Sequence, residues 1–295
     1  MAPDILCIGS VLWDTIGRSA APLPHGADVP GRIERQPGGV ACNVAVALAR
    51  AGMRPALLSA VGRDAEGAAL VAACEDLGLV TAHLCRSDRP TDRYMAIEDA
   101  AGLIAAIADV HALEAAGEAI LEPLRDGRLG DAAAPWSGPA VLDGNLAAAL
   151  MAGMADSPLL ARADLRVVPA SPDKARRLVP LLGRPGTTFY LNRAEAGILA
   201  GETFPDAATA ARALTERGAA RVLVTDGGRP CADARRGAGL VEADPPPVSP
   251  ARVTGAGDAF VAAHIAAERG GAGRAAALDR ALCAAAAHVT GTLGP

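Results

Sequence analysis

Four short segments of this chain combine small residues, carboxylates and amides at spacings that suit anion and hydroxyl chemistry. In RVTGAGDAFVAAHIAA (252–267) a Gly-Ala-Gly turn runs into an apolar-periodic helix with Asp258 in its first turn. The amides of Ala256, Gly257 and Asp258 then point out of the helix N-terminus, and the small residues Gly255, Ala256 and Gly257 let an anion come close. Asp258 fits either a plain first-turn acid favoured by the helix dipole or a group working beside that anion hole. In QPGGVACNVAVALARAG (36–52) Gly38 and Gly39 precede Asn43 and a run of strong helix formers that stops at Gly52. Asn43 suits an N-cap, and the same glycines would let backbone approach a small polar ligand whose hydroxyls Asn43 binds. LNRAEAGILAG (191–201) places Asn192 after a strand and Glu195 one helical turn on, which fits a helix cap and equally a magnesium ion held through water. VLVTDGG (222–228) ends a strand in Thr225 and Gly227, donors for phosphate oxygens or simply a turn.

The elements that must position these groups belong to a globular protein. The 295 residues are 51% apolar and 21% charged, with 33 glycines and 22 prolines spread along the chain, which excludes collagen-like and broadly disordered classes. A net charge of -5 and 2% aromatic residues give neither a basic footprint nor stacking platforms, so nucleic acid is not an expected partner. Residues 1–10 lack the basic start of a signal peptide and no uncharged apolar stretch is long enough for a bilayer, so the expectation is a cytoplasmic protein without a membrane partner. Cys7, Cys42, Cys74, Cys85, Cys231 and Cys283 lie far apart with no CxxC, and His25, His83, His111, His264 and His288 form no cluster, so buried thiols and ordinary histidines are expected.

Short apolar runs at 4–9, 56–61, 139–142, 165–168, 188–191 and 221–224 alternate with helical patterns at 43–51, 65–77, 173–182, 206–217 and 257–269, and a last helix spans about 274–290. That rhythm predicts a doubly wound, mostly parallel α/β sheet with helices on both faces, whose ligands gather at the carboxyl ends of the strands. Segments 15–37 and 84–110 break it. They read as short strands, with a turn near Ala101-Gly102, forming a small β-sheet lid over the site, while 125–138 reads as a loop. The expectation is one domain, 1–295, plus that lid.

The four segments in this order resemble the signatures of the PfkB, or ribokinase-like, carbohydrate and nucleoside kinases. The resemblance rests on the glycine-pair segment 38–52, Asn192 with Glu195, Thr225 with Gly227, and Gly255-Ala256-Gly257-Asp258. It implies a ribokinase-like fold, Asp258 as the general base, and the preceding amides as the group that neutralises charge on the transferred phosphoryl. It also implies that Asp14, Gly38, Gly39 and Asn43 hold sugar hydroxyls. ATP and magnesium would lie against Asn192, Glu195, Thr225 and Gly227, with Glu195 reaching the metal through water. GxxxxGK[ST] is absent, and the only lysine is Lys174.

Segments 91–110, 141–146 and 167–178 resemble the pseudouridine-kinase branch of that family, which implies phosphoryl transfer from ATP to the 5'-hydroxyl of pseudouridine. Lys174, a lone compact charge in an arginine-rich chain, then suits a uracil carbonyl, as well as it suits a solvated helix position. Thr91, Arg93 and Tyr94 become candidates for base contacts in the lid. Arg252 and Val253 stand where the family signature has Asp-Thr, which puts a potassium requirement in question, and Pro230 stands where a glycine is usual. Kinases of another nucleoside or sugar share these residues, and a non-catalytic nucleoside sensor on the same fold is the reading from another class. Exposed lid edges suggest a homodimer.

Overall fold

A computed structural model describes residues 2–249 and 254–291. Its first strand, β1 (Ile5–Ile8), is buried along its whole length, as expected of a strand covered on both faces. The first half continues with β2 (Leu12–Arg18), β3 (Arg32–Gly38), α1 (Val40–Arg50), β4 (Pro55–Leu58), β5 (Ala60–Gly62), α2 (Ala65–Asp76), β6 (Cys85–Ser87), β7 (Arg93–Asp99), β8 (Gly102–Asp109) and α3 (His111–Ala116). The second half holds β9 (Pro139–Asp143), α4 (Ala148–Ala155), β10 (Asp164–Val168), α5 (Pro172–Ala175), β11 (Thr188–Asn192), α6 (Arg193–Ala200), α7 (Ala207–Glu216), β12 (Arg221–Asp226), β13 (Arg229–Arg235), β14 (Gly239–Ala243), α8 (Ala256–Arg269) and α9 (Arg274–Val289).

The main sheet has eight strands in the order β14-β13-β12-β11-β10-β9-β1-β4. It is parallel from β12 to β4, and only β13 and β14 run antiparallel. Successive strand residues face opposite ways, so Ile5 and Cys7 join a core with Phe260, Ile265 and Leu278, while Leu6 and Ile8 join one with Met151, Leu178 and Leu214. Helices therefore cover both faces, and the expected α/β class holds. The chain lays β4 on one side of β1 and later β9 on the other, so the crevice between the carboxyl ends of β1 and β9 is a topological switch point.

A second sheet, of four strands in the order β3-β2-β7-β8, stands apart from the main one. Its strands begin at Leu12, three residues before the expected segment. Residues 84–92 do not join it, because β6 pairs with β5 in a two-stranded sheet of its own. Register puts Asp14 opposite Gln36 and Tyr94 on one face, and Trp13 opposite Arg93 on the other. The indole Nε1 of Trp13 donates to the Glu66 carbonyl at 3.0 Å, the Arg35 guanidinium lies 3.9 Å over that ring, and Arg35 pairs with Glu66, so the sheet is tied to the start of α2. The helix expected over 173–182 is α-helical only to Ala175 and continues as 3-10 turns through Leu181, a segment that contains Pro180. Among the described residues no helix is long and apolar enough to cross a membrane.

Candidate active site

The site grows from the loop after β1. Gly9 (φ +154°) passes so close to Asp143 that a Cβ there would sit 2.2 Å from the Asp143 Cβ. The Ser10 amide donates to Asp143 Oδ2 at 2.8 Å and the Ser10 hydroxyl donates to the same oxygen, which joins β1 to β9 across the switch point. The first turn of α1 docks on this junction: Val40 N donates to Ser10 Oγ at 3.0 Å, and Ala41 N to Asp143 Oδ2 at 3.3 Å. Close approach explains the glycine pair. At Gly39 (φ +92°) a Cβ would lie 2.6 Å from the Ser10 carbonyl oxygen, and at Gly38 it would lie 2.0 Å from an Asp14 carboxylate oxygen.

Gly39 is thus the N-cap of α1, and Asn43, lying further along the helix, is free of that task. Its Nδ2 donates to Asp258 Oδ2 at 3.0 Å. Gly255 (φ +88°) caps α8 and puts Asp258 in the first helical turn, while Gly257 faces open space with nothing within 4 Å of where a Cβ would lie. The structure therefore brings together Asp14, Gly38, Gly39, Asn43 and the Gly255–Asp258 turn, all at the carboxyl side of the sheet.

Charge in this corner is negative. Burial pushes the Asp258 carboxyl up to about 7; the Asn43 hydrogen bond offsets part of this, and the charges of Asp143 and Asp14 add to it. Burial also lifts Asp14 to about 6. Among the described residues none donates a hydrogen bond to Asp14, whose carboxylate packs against Gly38.

Lys174 belongs to this crevice and is no solvated helix lysine. Its ammonium donates to Asn145 Oδ1 at 2.6 Å, and Asn145 Nδ2 donates to Ser10 Oγ at 3.0 Å. Burial and Arg177 lower the Lys174 pKa, against the charges of Asp143 and Glu114. Two expected contacts are placed elsewhere. The Thr91 hydroxyl and amide are both committed to Asp64, the N-cap of α2, which fastens the root of β7. Arg93 is exposed on the face of the small sheet opposite Asp14, because it pairs with Trp13; Tyr94 takes the face of Asp14.

At the far side of the crevice Asn192 and Thr225 are register partners at the carboxyl ends of β11 and β12. Asn192 and Glu195 form a capping box: Glu195 N donates to Asn192 Oδ1 at 2.9 Å, and Asn192 N to Glu195 Oε2 at 2.8 Å. Burial nevertheless pushes Glu195 up to about 7, so a nearby cation would relieve it. Among the described residues no group of three or more His, Cys, Asp or Glu could hold a metal. One carboxylate together with water and phosphate oxygens is a fitting donor set for magnesium. Gly227 (φ +62°) turns the chain from β12 into β13 and is exposed beside Thr225. Arg252 and Val253 lie outside the described residues. Ser10, Asp143 and Asn145 are site residues that sequence reasoning did not single out, although Gly9 ending a buried strand and Asp-Gly-Asn ending β9 mark where they stand.

The chain matches the model of the pfkB family carbohydrate kinases over residues 2–294. It belongs to that family. A pseudouridine kinase of Escherichia coli (strain K12) is 35% identical over 109 residues, a match covering 36% of this chain and 35% of the relative, so only about a third of that relative's length is spanned. Among solved pfkB-like folds, a carbohydrate kinase from Agrobacterium tumefaciens aligns with TM-score 0.79 and 26% identity over 99% of this chain and 92% of its own. A ribokinase from Arabidopsis thaliana, complexed with ribose and ATP, aligns with TM-score 0.76 and 21% identity over 98% and 93%.

The raised Asp258 has a consequence for stability. Its folded form prefers the protonated state, so that contribution is complete below the ordinary carboxylate range and is lost as pH rises through about 7. Asp258→Asn removes the charge, and its melting temperature relative to wild type should climb between about pH 4 and 8 and then level off. Thermal melts across that range check this; a pH-independent difference would contradict the electrostatics.

Proposed function

We propose that this protein transfers the γ-phosphoryl group of ATP to the 5'-hydroxyl of pseudouridine, giving pseudouridine 5'-phosphate and ADP. The observation that carries the kinase reading is Asp258, hydrogen-bonded to Asn43 and set in the first turn of α8 beside open amides. Asp14 and Asn43, with the close-packed backbone at Gly38 and Gly39, hold the ribose hydroxyls so that the primary hydroxyl faces Asp258. Asp258 takes the hydroxyl proton as the oxygen attacks phosphorus and the bond to ADP breaks. A carboxyl near 7 accepts that proton readily at neutral pH. The amides of Ala256, Gly257 and Asp258 meet the charge on the phosphoryl oxygens. Magnesium, when bound with ATP, neutralises phosphate charge, and Glu195 would hold it through water beside Asn192, Thr225 and Gly227.

Three features support pseudouridine as the acceptor: the partial match to the pseudouridine kinase, the placement of Lys174 in the crevice, and Tyr94 on the face of Asp14. Lys174, steadied by Asn145, offers its remaining N–H groups to a uracil carbonyl. The small sheet acts as a lid on a single domain, and its closure excludes water from the reacting hydroxyl. Its outer face exposes Ile33 at 80%, Ile107 at 71% and Met95 at 49%, an apolar surface that suits a second copy of the chain. The cysteines are free thiols, which suits the reducing cytoplasm.

Asp258→Asn should lower kcat with pseudouridine and Mg-ATP about 10²- to 10⁴-fold while nucleoside binding, followed by calorimetry, persists. An undiminished rate would contradict the assignment. Light scattering should give twice the chain mass in solution; a monomer would remove the lid dimer.

A further inference from the structure

Asp143 is 0% exposed, at the end of β9, and donors converge on it from three directions. Ser10 supplies its amide and hydroxyl, α1 supplies the Ala41 amide, and Asn145 supplies its amide at 2.8 Å and its Nδ2 at 3.3 Å. A carboxylate, which only accepts, is what such a set of donors requires. These are all uncharged groups, and among the described residues Asp143 makes no ion pair; the lysine whose charge reaches it, Lys174, stands on the far side of Asn145. The helix turn that Asp143 pins is the one leading to Asn43, whose amide grips Asp258.

Resting on the kinase reading, we propose that Asp143 is a positioning residue acting through Asp258: it fixes the start of α1, so that Asn43 holds the base. The groups facing Asp258 can be named element by element. Asn43 comes from α1 and is neutral, Asp14 comes from β2, and Asp143 comes from the end of β9. From α9, His288 packs against Gly255 and its Nε2 lies 2.8 Å from the Thr254 carbonyl. Two of these neighbours are carboxylates, so a substitution that keeps both charges isolates the hold of Asn43 on Asp258.

The test is a direct titration of Asp258 in the substrate-free protein, by NMR of carboxyl-carbon-labelled aspartate, with the signal assigned by its loss in Asp258→Asn. Wild type should titrate near 7, and Asp143→Glu, which keeps the charge but lengthens the side chain past its donors, should loosen Asn43 from Asp258 and titrate higher. If Asp143→Glu does not fold, Ser10→Ala, which removes the hydroxyl that joins Asp143 to the Val40 amide at the start of α1, should raise the midpoint likewise. The acid limb of kcat/KM for each variant should follow its NMR midpoint. Coincident midpoints in wild type and the folded variants overturn the inference, even in an active enzyme. A shifted midpoint in a protein that phosphorylates no acceptor overturns the kinase reading instead.

Discussion

The contact between the Ser10 loop and Asp143 organises everything else at the site. It forms at the point where the strand order reverses, joins the first strand to β9 across the crevice, and carries the first turn of α1 with it. A buried carboxylate left without donors would be costly, so the loop after β1 cannot relax away from it. Gly9, Gly38 and Gly39 follow from the same constraint, since each occupies a place where a side chain would collide with Asp143, Asp14 or Ser10.

Gathering acidic groups in one corner opposes folding, and the structure offsets this elsewhere. The other end of α8 is held by charge pairs: Glu268 pairs with Arg166 of β10 at 2.6 Å and with Arg221 of β12, while Asp233 of β13 takes both Arg221 and Arg274. His264, buried within that cluster, is driven down to about 4 by burial and stays neutral beside the Tyr190 hydroxyl, 2.9 Å away. Removing one partner from such a cluster would leave a buried charge unpaired, so the cluster holds α8 in one position. The helix is therefore anchored at its polar foot and presents at its head Asp258 and first-turn amides that no side chain among the described residues caps.

Much of this was legible in the sequence, and the reasons for the rest are physical. Buried parallel strands such as β1 and β12 declare themselves as unbroken apolar runs, and Gly255–Asp258 declares a helix start. β13 escaped because Asp233 and its flanking arginines read as surface, although Asp233 is buried by pairing. Arg93 and Tyr94 are neighbours in sequence, and only the register against Trp13 and Asp14 decides which of them faces the site. Thr91 looked like a lid hydroxyl until its partner, Asp64, was in view. Ser10 and Asp143 are 133 residues apart, a pairing that only the folded sheet reveals.

On this reading the corner around Asp258 passes a phosphoryl group to a primary hydroxyl. Incubating the protein with Mg-ATP and, in parallel, pseudouridine, uridine, adenosine and ribose, with products weighed by mass spectrometry, tests it most directly. A monophosphate of pseudouridine should form ahead of the other three. A monophosphate of a different acceptor alone would keep Asp258 as the base and discard the role given to Lys174, and binding without any phosphorylated product would contradict the account.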